Sequence, residues 1–292
     1  MEYITNFFLN PNPYFIGNLL TDTCNVNIHI HNSFEIFLAT TDNIRYSIEG
    51  SYYDLKKGDI IITNASEVHR PSTINADPCG RQFILFSPAY FEQTIKDIHP
   101  RFYIFTKRKK GYYNHLKPND IDRDYISQLF NRIIDSYSSH ASSENLLTTV
   151  LIAELLIHLE RIYSYCYTTN KNYKSHRKIE PRVKSLLEDI NLNYKNKISL
   201  DELANQHYMN KYYMCHLFKS ETSFSIGEYI NSQRIMHAKD LLENDKLSFN
   251  EIAQMCGFED YSNFYKIFKK LMGASPSKYK NIYLNDQSNI KT

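Results

Sequence analysis

Residues 199–230 read SLDELANQHYMNKYYMCHLFKSETSFSIGEYI, and residues 248–280 read SFNEIAQMCGFEDYSNFYKIFKKLMGASPSKYK. The second stretch repeats the plan of the first, with an offset of 49 residues (Ser199 to Ser248) that becomes 50 (Met214 to Phe264). The added residue falls at Glu259–Asp260, where a turn can absorb it. The chain is therefore predicted to contain two copies of one supersecondary unit.

Each copy opens with a capping box, Ser199-x-x-Glu202 or Ser248-x-x-Glu251. In this motif the hydroxyl accepts from the amide three residues on, and the glutamate reaches back to the capping residue. A short helix with a small alanine follows, so that a second helix can cross it closely. This pattern predicts a helix-turn-helix unit in each copy.

The residues at the turns also favour two helix-turn-helix units, although the first copy lacks both of the glycines found in the second. Gly257 lies where a tight turn needs positive φ, and Gly273 is placed to end the second helix. The first copy has Tyr208 and Ser223 at these positions, where the left-handed conformation costs a non-glycine residue roughly 1 kcal/mol. Either the backbone differs there or stability is lower. The predicted second helices span about 210–220 and 261–271, with a connecting helix at about 225–243.

The outward faces of the two second helices are polar and basic. In such units the second helix enters the major groove, where its first turns reach base edges and later residues reach phosphates. A connecting helix of about 19 residues spans roughly 28 Å, close to the roughly 34 Å between successive major-groove faces of B-DNA. The expected DNA contacts are Lys211, Tyr212, Cys215, His216 and Lys219 in the first unit and Tyr261, Ser262, Asn263, Tyr265 and Lys266 in the second. The alternative is that these are only the solvated faces of core helices, and the duplication argues against it.

A specific set of residues links this region to a known family. The set is Ile252-Ala253, Cys256-Gly257-Phe258, Ser262-Asn263-Phe264, Phe268-Lys269-Lys270, Gly273, Ser275-Pro276-x-x-Tyr279 and, in the connecting helix, Arg234-Ile235-x-x-Ala238-x-x-Leu241-Leu242. With these residues the region resembles the DNA-binding domain of AraC/XylS-type transcription regulators. The resemblance implies a homodimeric regulator, more often an activator, that binds promoter half-sites in double-stranded DNA and contacts RNA polymerase.

The first 117 residues instead predict a small all-β domain, because short alternating strands recur at close spacing. The strands are expected at about 26–30, 35–38, 45–48, 60–62 and 81–86. Such spacing is typical of a β-barrel or a double-sheet jelly roll. The run His29-x-His31-x3-Glu35, then Gly58-Asp59, then His69, resembles the cupin barrel that serves as sensor in many AraC-type regulators. The expected fold class is therefore multi-domain α+β: a cupin-like β-barrel with a helical dimerisation segment, then an all-α tandem helix-turn-helix domain.

The same run supplies candidates for a ligand site. In an extended strand His29 and His31 face the same side, as two groups of one site must. In metal-dependent cupins two histidines, a glutamate and a later histidine bind a divalent metal, and this chain matches that order. Pro71 after the last histidine and a blurred second motif favour an organic effector instead, so no metal or cofactor is predicted, although metal binding and a structural role stay open. The expected effector contacts are His29, His31, Glu35, His69, Arg81 and Phe83, with Tyr46 a weaker candidate and a sugar as the suggested ligand.

Residues 118–167 predict two helices. The first is amphipathic, and the second, at 146–159, is apolar nearly all round, so it must be buried. It can pack on the barrel or, as the family resemblance suggests, form a dimer interface; the sequence leaves both open. A polar linker at 168–180 then precedes the DNA-binding domain at 181–284.

Charge divides the chain in the same way. Up to Tyr167 there are 15 Lys and Arg against 18 Asp and Glu, and beyond it 19 against 14, so that −3 and +5 give the net +2. A basic C-terminal part suits a polyanion-binding domain. The five cysteines form no CxxC pair, which predicts free thiols in a reducing cytosol. Without a signal-like start or a long apolar run, we expect a soluble cytoplasmic protein with no membrane contact.

Two functions from different classes are compatible with these features. The favoured one is an effector-responsive transcription regulator without enzymatic activity. The alternative is a metal-dependent cupin enzyme fused to a DNA-tethering tail, which metal analysis would distinguish. A cysteine-nucleophile DNA-repair sensor is a third option, but no activated-thiol motif supports it.

Overall fold

The computed structural model describes residues 13–24, 26, 28–31, 33–95, 98–139, 142–169, 180–242 and 246–281. Most of the predicted linker and the last residues of the predicted DNA-binding domain lie outside these ranges. Along the described chain a β-rich N-terminal part is followed by a helical pair and a helical C-terminal part. This order confirms the predicted fold class.

The N-terminal strands form two antiparallel sheets. They are β1 (Tyr14–Thr21), β2 (Phe34–Ala39), β3 (Ile44–Ile48), β4 (Ser51–Leu55), β5 (Ile60–Thr63), β6 (His69–Thr73), β7 (Cys79–Phe86) and β8 (His115–Leu116). One sheet has the order β1-β7-β2-β5-β8 and the other the order β4-β3-β6. Within the described residues the sheets do not close into a barrel, so the double-sheet alternative replaces the expected barrel. The strand predicted at 26–30 is reduced to a single bridge between His29 and His69.

Alternation along the larger sheet separates two cores, because successive side chains of a strand point to opposite faces. Ile36 and Leu38 of β2 face the helices, in one core with Ile84 of β7. Phe37 of β2 faces the smaller sheet and packs in a second core with Tyr46. The predicted effector residues therefore have to be sought on the inter-sheet side.

Two long helices cover the outer face of the larger sheet. Short elements lead to them: α1 (Pro88–Thr94), a 3-10 turn (His99–Phe102) and α2 (Tyr103–Thr106). The long helices are α3 (Asp120–Ser138) and α4 (Ser142–Ser164), the latter continued by a π-helical turn (Tyr165–Thr169). No helix of the described chain has the length and apolar character needed to cross a membrane.

The α4 helix is not buried all round as predicted. Its inner face packs on the sheet core, with residues such as Leu151 and Leu155 fully buried. Its outer face leaves Leu146, Val150 and Ile157 exposed by 63%, 50% and 52%. The all-round apolar pattern therefore combines a core face with an uncovered apolar face.

The C-terminal part is all helical in the described residues. Its helices are α5 (Pro181–Asn193), α6 (Leu200–Gln206), α7 (Lys211–Thr222), α8 (Ile226–Leu242), α9 (Phe249–Met255) and α10 (Tyr261–Met272), with a further helical turn at 276–281. The predicted second helices and connecting helix agree with α7, α10 and α8 to within two residues at each end. One core, which includes Met214, Phe218, Phe264 and Phe268, holds all these helices together.

One prediction about the cysteines is wrong. Cys24 and Cys79 form a disulfide with a Cα–Cα distance of 5.7 Å, across 55 residues of sequence. Cys166, Cys215 and Cys256 are not disulfide-bonded. The register of β1 with β7 places Thr21 opposite Cys79 and so brings Cys24 close. Sequence spacing carries no sign of this pairing, because it follows from the strand register.

Candidate nucleic-acid interface and sensor site

Both helix-turn-helix units begin with the predicted serine cap. Ser199 Oγ accepts from the Glu202 amide at 3.4 Å. In the second unit Ser248 Oγ accepts from the Glu251 amide at 3.3 Å, and the Glu251 carboxylate accepts from the Ser248 amide at 2.8 Å. The reciprocal capping box is therefore complete in the second unit.

The second helix of each unit has an equivalent cap. The Asn210 side chain accepts from the amides of Tyr212 and Tyr213 at 2.9 and 3.4 Å, and Asp260 accepts from the Asn263 amide at 2.8 Å. Such caps satisfy amides that lack a partner within the helix. They fix the first turns of α7 and α10, from which base contacts are expected.

The left-handed turns are the same in both units despite the missing glycines. Tyr208 has φ 52° where Gly257 has 88°, and Ser223 has φ 62° where Gly273 has 72°. Of the two explanations left open by the sequence, retention of the backbone is therefore the one observed, and it predicts a stability cost at Tyr208 and Ser223. Gly257 also has a steric reason, because a Cβ there would lie 2.3 Å from the Lys195 carbonyl oxygen.

Replacing Tyr208 with glycine is expected to raise the free energy of unfolding by about 0.5–1 kcal/mol, because it removes left-handed strain at a non-glycine residue. The tyrosine side chain is 98% exposed, so little packing is lost. Urea unfolding followed by circular dichroism measures the change. The matched control is Lys219→Gly on the exposed face of α7, which should lower stability by roughly 0.5–1 kcal/mol. Equal losses in both variants would contradict the strain argument.

The predicted DNA-contacting residues fall into two groups by exposure. Six are exposed on the outward faces of α7 and α10: Tyr212, His216, Lys219, Ser262, Asn263 and Lys266. Four are half-buried: Lys211, Cys215, Tyr261 and Tyr265. The exposed group is the more available for base contacts.

The half-buried residues have partners within the protein. Lys211 Nζ donates to Asp201 Oδ2 at 2.9 Å. The Tyr261 ring lies 5.9 Å from that of Phe264, centroid to centroid, and Cys215 packs against the domain core. The sequence did not predict that the Tyr208 side chain would be exposed beside the first turn of α7. Its left-handed backbone directs the ring outward just before the cap of α7. The sequence sign of this feature was a tyrosine at the position where the second unit has Gly257.

The sensor residues His29, His31, Glu35 and His69 do meet. One ligand atom from each lies within 4.8 Å of the others, and all four side chains are buried. Glu35 Oε2 lies 3.0 Å from His31 Nε2 and 3.0 Å from His69 Nε2. The Tyr46 hydroxyl donates to Glu35 Oε1 at 3.0 Å, so the weaker candidate also joins the cluster.

The charges in this cluster are strongly coupled. Burial would raise the pKa of the Glu35 carboxyl, but the His69 charge and a hydrogen bond from His31 hold that pKa well below its usual range. Burial lowers the pKa of His31. Burial acts in the same direction on His69, but the adjacent Glu35 charge outweighs it and raises the His69 pKa. The cluster is thus centred on an ionised carboxylate that attracts positive charge.

Arg81 and Phe83 face the same inter-sheet space but lie apart from this cluster. Arg81 Nη1 donates to Thr21 Oγ1 at 3.3 Å and to Cys24 Sγ at 3.0 Å. The Phe83 ring lies over Gly17, where a Cβ would come within 2.3 Å of the ring. The predicted effector residues therefore share the inter-sheet side but form two separate groups, a division that the sequence did not predict.

A thin interdomain layer, formed by residues 28–31 and 68–70, separates the cluster from the C-terminal helices. His29 N–H donates to the His69 carbonyl at 3.2 Å, and His69 N–H donates to the His29 carbonyl at 3.3 Å. The side chains alternate. His29, His31 and His69 belong to the cluster. Ile28, Ile30 and Val68 join the core of the C-terminal helices instead.

This layer holds both second helices at their C-terminal ends. Ile30 N–H donates to the Leu271 carbonyl in the last turn of α10 at 3.2 Å. The Arg70 guanidinium donates to the carbonyl of Ser223, the C-cap residue of α7. A cation is favourable there because the helix dipole is negative at that end. Lys239 Nζ of α8 adds a hydrogen bond of 2.6 Å to the Ala65 carbonyl.

Comparisons with known proteins match two stretches of the chain. Residues 23–156 match the family model of an AraC-like ligand binding domain, and residues 203–282 match that of a helix-turn-helix domain. The uncharacterized HTH-type transcriptional regulator YdiP of Escherichia coli (strain K12) is 25% identical over 265 residues, which cover 88% of this chain and 82% of YdiP. The HTH-type transcriptional activator RhaR of Salmonella dublin is 22% identical over 261 residues, 89% of this chain and 88% of RhaR.

Solved structures include ToxT from Vibrio cholerae, which is 16% identical with a TM-score of 0.37 over 92% of this chain and 98% of that one. The two family models cover the sensor and the tandem unit separately, and the sequence relatives extend over most of the chain. Both point to a transcription regulator rather than an enzyme. The chain thus combines the two domains of an AraC-type transcriptional regulator, an N-terminal ligand-binding domain and a DNA-binding helix-turn-helix domain.

Proposed function

We propose that this protein activates transcription by binding promoter half-sites through α7 and α10 and by recruiting RNA polymerase. The residues proposed to contact DNA are Lys211, Tyr212, Cys215, His216, Lys219, Tyr261, Ser262, Asn263, Tyr265 and Lys266. Activation is suggested by the similarity to RhaR, an HTH-type transcriptional activator. We place this activity in the cytoplasm because it requires access to the DNA.

One observation carries the proposal. The polar first turns of α7 and α10 are exposed, while the C-terminal ends of both helices are held by the interdomain layer. Exposed residues such as Tyr212 and Lys266 are therefore presented from helices fixed at their far ends. Such an arrangement suits two helices that enter one groove together.

Replacing Asn263 or Lys266 with alanine is expected to weaken binding to a DNA sequence selected from a random library. Each lost bidentate base contact should cost about 1–3 kcal/mol, or roughly 5- to 150-fold in affinity, and relax preference at particular base positions. Quantitative gel-shift assays against single-base variants of the site measure both effects. Lys57→Ala, which removes an exposed lysine from the sensor, is the charge-matched control. Wild-type affinity and preference in both α10 variants would overturn the proposed orientation of that helix.

A second copy of the chain is the proposed occupant of the outer face of α4. Leu147, Val150, Glu154, Ile157 and Arg161 follow one another at alternating steps of three and four, the spacing of a coiled-coil seam. The apolar members of the seam are at least 47% exposed in the single chain. A symmetric pair of such faces would bury them and bring two DNA-binding domains to two half-sites.

Six effector contacts were expected from the sequence: His29, His31, Glu35, His69, Arg81 and Phe83. Of these, we propose that Arg81 and Phe83 contact an organic effector between the sheets. A polyol such as a sugar would suit the Arg81 end of this face, where the guanidinium and the Thr21 hydroxyl offer hydrogen bonds. The four-residue cluster is too tight for such a ligand, since Glu35 is within 3.0 Å of two histidines. The two ends of the inter-sheet face therefore suit different ligands.

A further inference from the structure

We infer that His29, His31, Glu35 and His69 form a closed site for one divalent transition-metal ion of the zinc type. We further infer that the ion tightens DNA binding by stiffening the interdomain layer. The inference deepens the proposed function, because its regulatory half rests on the sensor controlling the DNA-binding domain.

The spacing of the four ligand atoms fits one small ion. Zinc binds imidazole nitrogen and carboxylate oxygen at about 2.0–2.2 Å, so tetrahedral donors lie roughly 3.3 Å from one another. Here the Glu35 oxygen is 3.0 Å from two imidazole nitrogens, and all four donors lie within 4.8 Å. A small contraction of the cluster would complete a tetrahedral shell. Three nitrogens and one carboxylate oxygen are donors that suit zinc.

The groups behind the ligands are arranged as in metal sites. A ligating histidine commonly donates its second ring N–H to a carbonyl or carboxylate, which fixes the ring orientation. His31 Nδ1 lies 3.1 Å from the Ser33 carbonyl, and His69 Nδ1 lies 2.8 Å from the Glu67 carbonyl. These contacts direct both Nε2 atoms toward Glu35. The Tyr46 hydroxyl supports the other carboxylate oxygen.

One buried atom favours an ion over a purely structural cluster. His69 Nε2 is inaccessible to solvent and, within the described part of the chain, has no hydrogen bond of good geometry, although Glu35 Oε2 is 3.0 Å away. A buried polar atom without such a partner is costly. A metal ion would give this nitrogen a well-directed interaction in place of its ion pair with Glu35. Four buried protein ligands also leave no open coordination position, which is the mark of a structural rather than a catalytic zinc site.

The interdomain layer gives the site a route to DNA binding. An ion bound by His29 and His69 would join the two segments of the layer beyond their paired backbone hydrogen bonds. The same segments carry Ile30 and Arg70, which hold the C-terminal ends of α10 and α7. A stiffer layer would preorganise both helices and reduce the entropy lost on binding DNA.

The test uses full-length protein purified without a histidine tag and stripped with a chelator. Titration with ZnCl2 by calorimetry should give one equivalent per chain, and binding should raise the midpoint of thermal unfolding by several degrees. Titration with CoCl2 should produce the visible absorption of a four-coordinate ion. Metal-loaded protein should bind its selected DNA at least about fivefold more tightly than stripped protein, within the usual range of allosteric coupling.

His31→Gln, Glu35→Gln and His69→Gln should each abolish the cobalt absorption and the calorimetric equivalent. The matched control is His207→Gln, which removes a half-buried histidine whose Nε2 lies 3.0 Å from Asp189 Oδ2. This control should keep full metal binding. Circular dichroism checks that each variant folds, and the comparison of stripped with loaded wild type does not depend on any variant.

The outcomes separate the two proposals. No metal uptake by a protein that binds selected DNA overturns the metal site and leaves the proposed function standing. Uptake that survives all three ligand variants overturns the assignment to this cluster. Equal DNA affinity with and without bound metal overturns the coupling. Absence of sequence-preferring DNA binding in both forms overturns the proposed function itself.

Discussion

Replacing Glu67 with alanine is expected to lower the free energy of unfolding by about 3–5 kcal/mol, because it leaves the Arg108 guanidinium buried without a counter-charge. Both side chains are completely buried. The Glu67 carboxylate also accepts from the Gly111 amide at 2.7 Å and from the Asn64 amide at 3.0 Å. Burial would raise the pKa of Glu67, but the Arg108 contacts hold it below its usual value, so the pair is charged near neutral pH.

Asp54→Ala is the matched control, since Asp54 pairs with Arg45 at 2.6 Å on the surface. Exposed pairs of this kind contribute about 0–1 kcal/mol. Urea unfolding followed by far-ultraviolet circular dichroism gives both values. If the two alanine variants lose equal stability, the buried network is not an important source of stability.

The sequence predicted best those elements whose signals are local. Ser248 and Glu251 form a complete box because both groups lie within one turn of the same helix. Gly273 ends α10 in the left-handed conformation for a reason contained in one residue. In such elements the conformation is decided by interactions within a few residues of sequence, which can be inferred from the residue types. The predicted bounds of α7 and α10 were accordingly close.

Contacts between residues distant in sequence could not be predicted in this way. The Cys24–Cys79 pairing follows from the register of β1 with β7, which is set by the whole sheet. The alternation of Ile30 with His31 was visible in the sequence, but nothing indicated that the isoleucine would pack against a different domain. Nor did the pattern separate Arg81 from the histidine cluster. These features depend on which surfaces meet, and local patterns do not specify that.

The Val150→Asp and Ile157→Asp substitutions are expected to separate the proposed dimer into monomers. Both side chains are about half exposed on the outer face of α4, and each stands to gain roughly 1 kcal/mol on full burial in a symmetric pair. An aspartate there would have to be desolvated without a partner. Sedimentation velocity should show the wild-type chain as a dimer and each variant as a monomer.

Affinities for DNA with two half-sites and with one half-site should distinguish a loss of dimerisation from a loss of base contacts. A dimer that holds two half-sites gains from effective concentration, so its loss should weaken binding to a two-site DNA by about 10²- to 10⁴-fold. Affinity for a single half-site should stay unchanged, because the substituted residues lie on a sensor helix rather than on α7 or α10. The control is Leu192→Asp, at an 83% exposed leucine of α5, which should leave the oligomeric state unaltered. A wild-type chain that stays monomeric at every concentration, or variants that remain dimers, would show that α4 is not the interface. In that case the exposed apolar face of α4 would need a different partner.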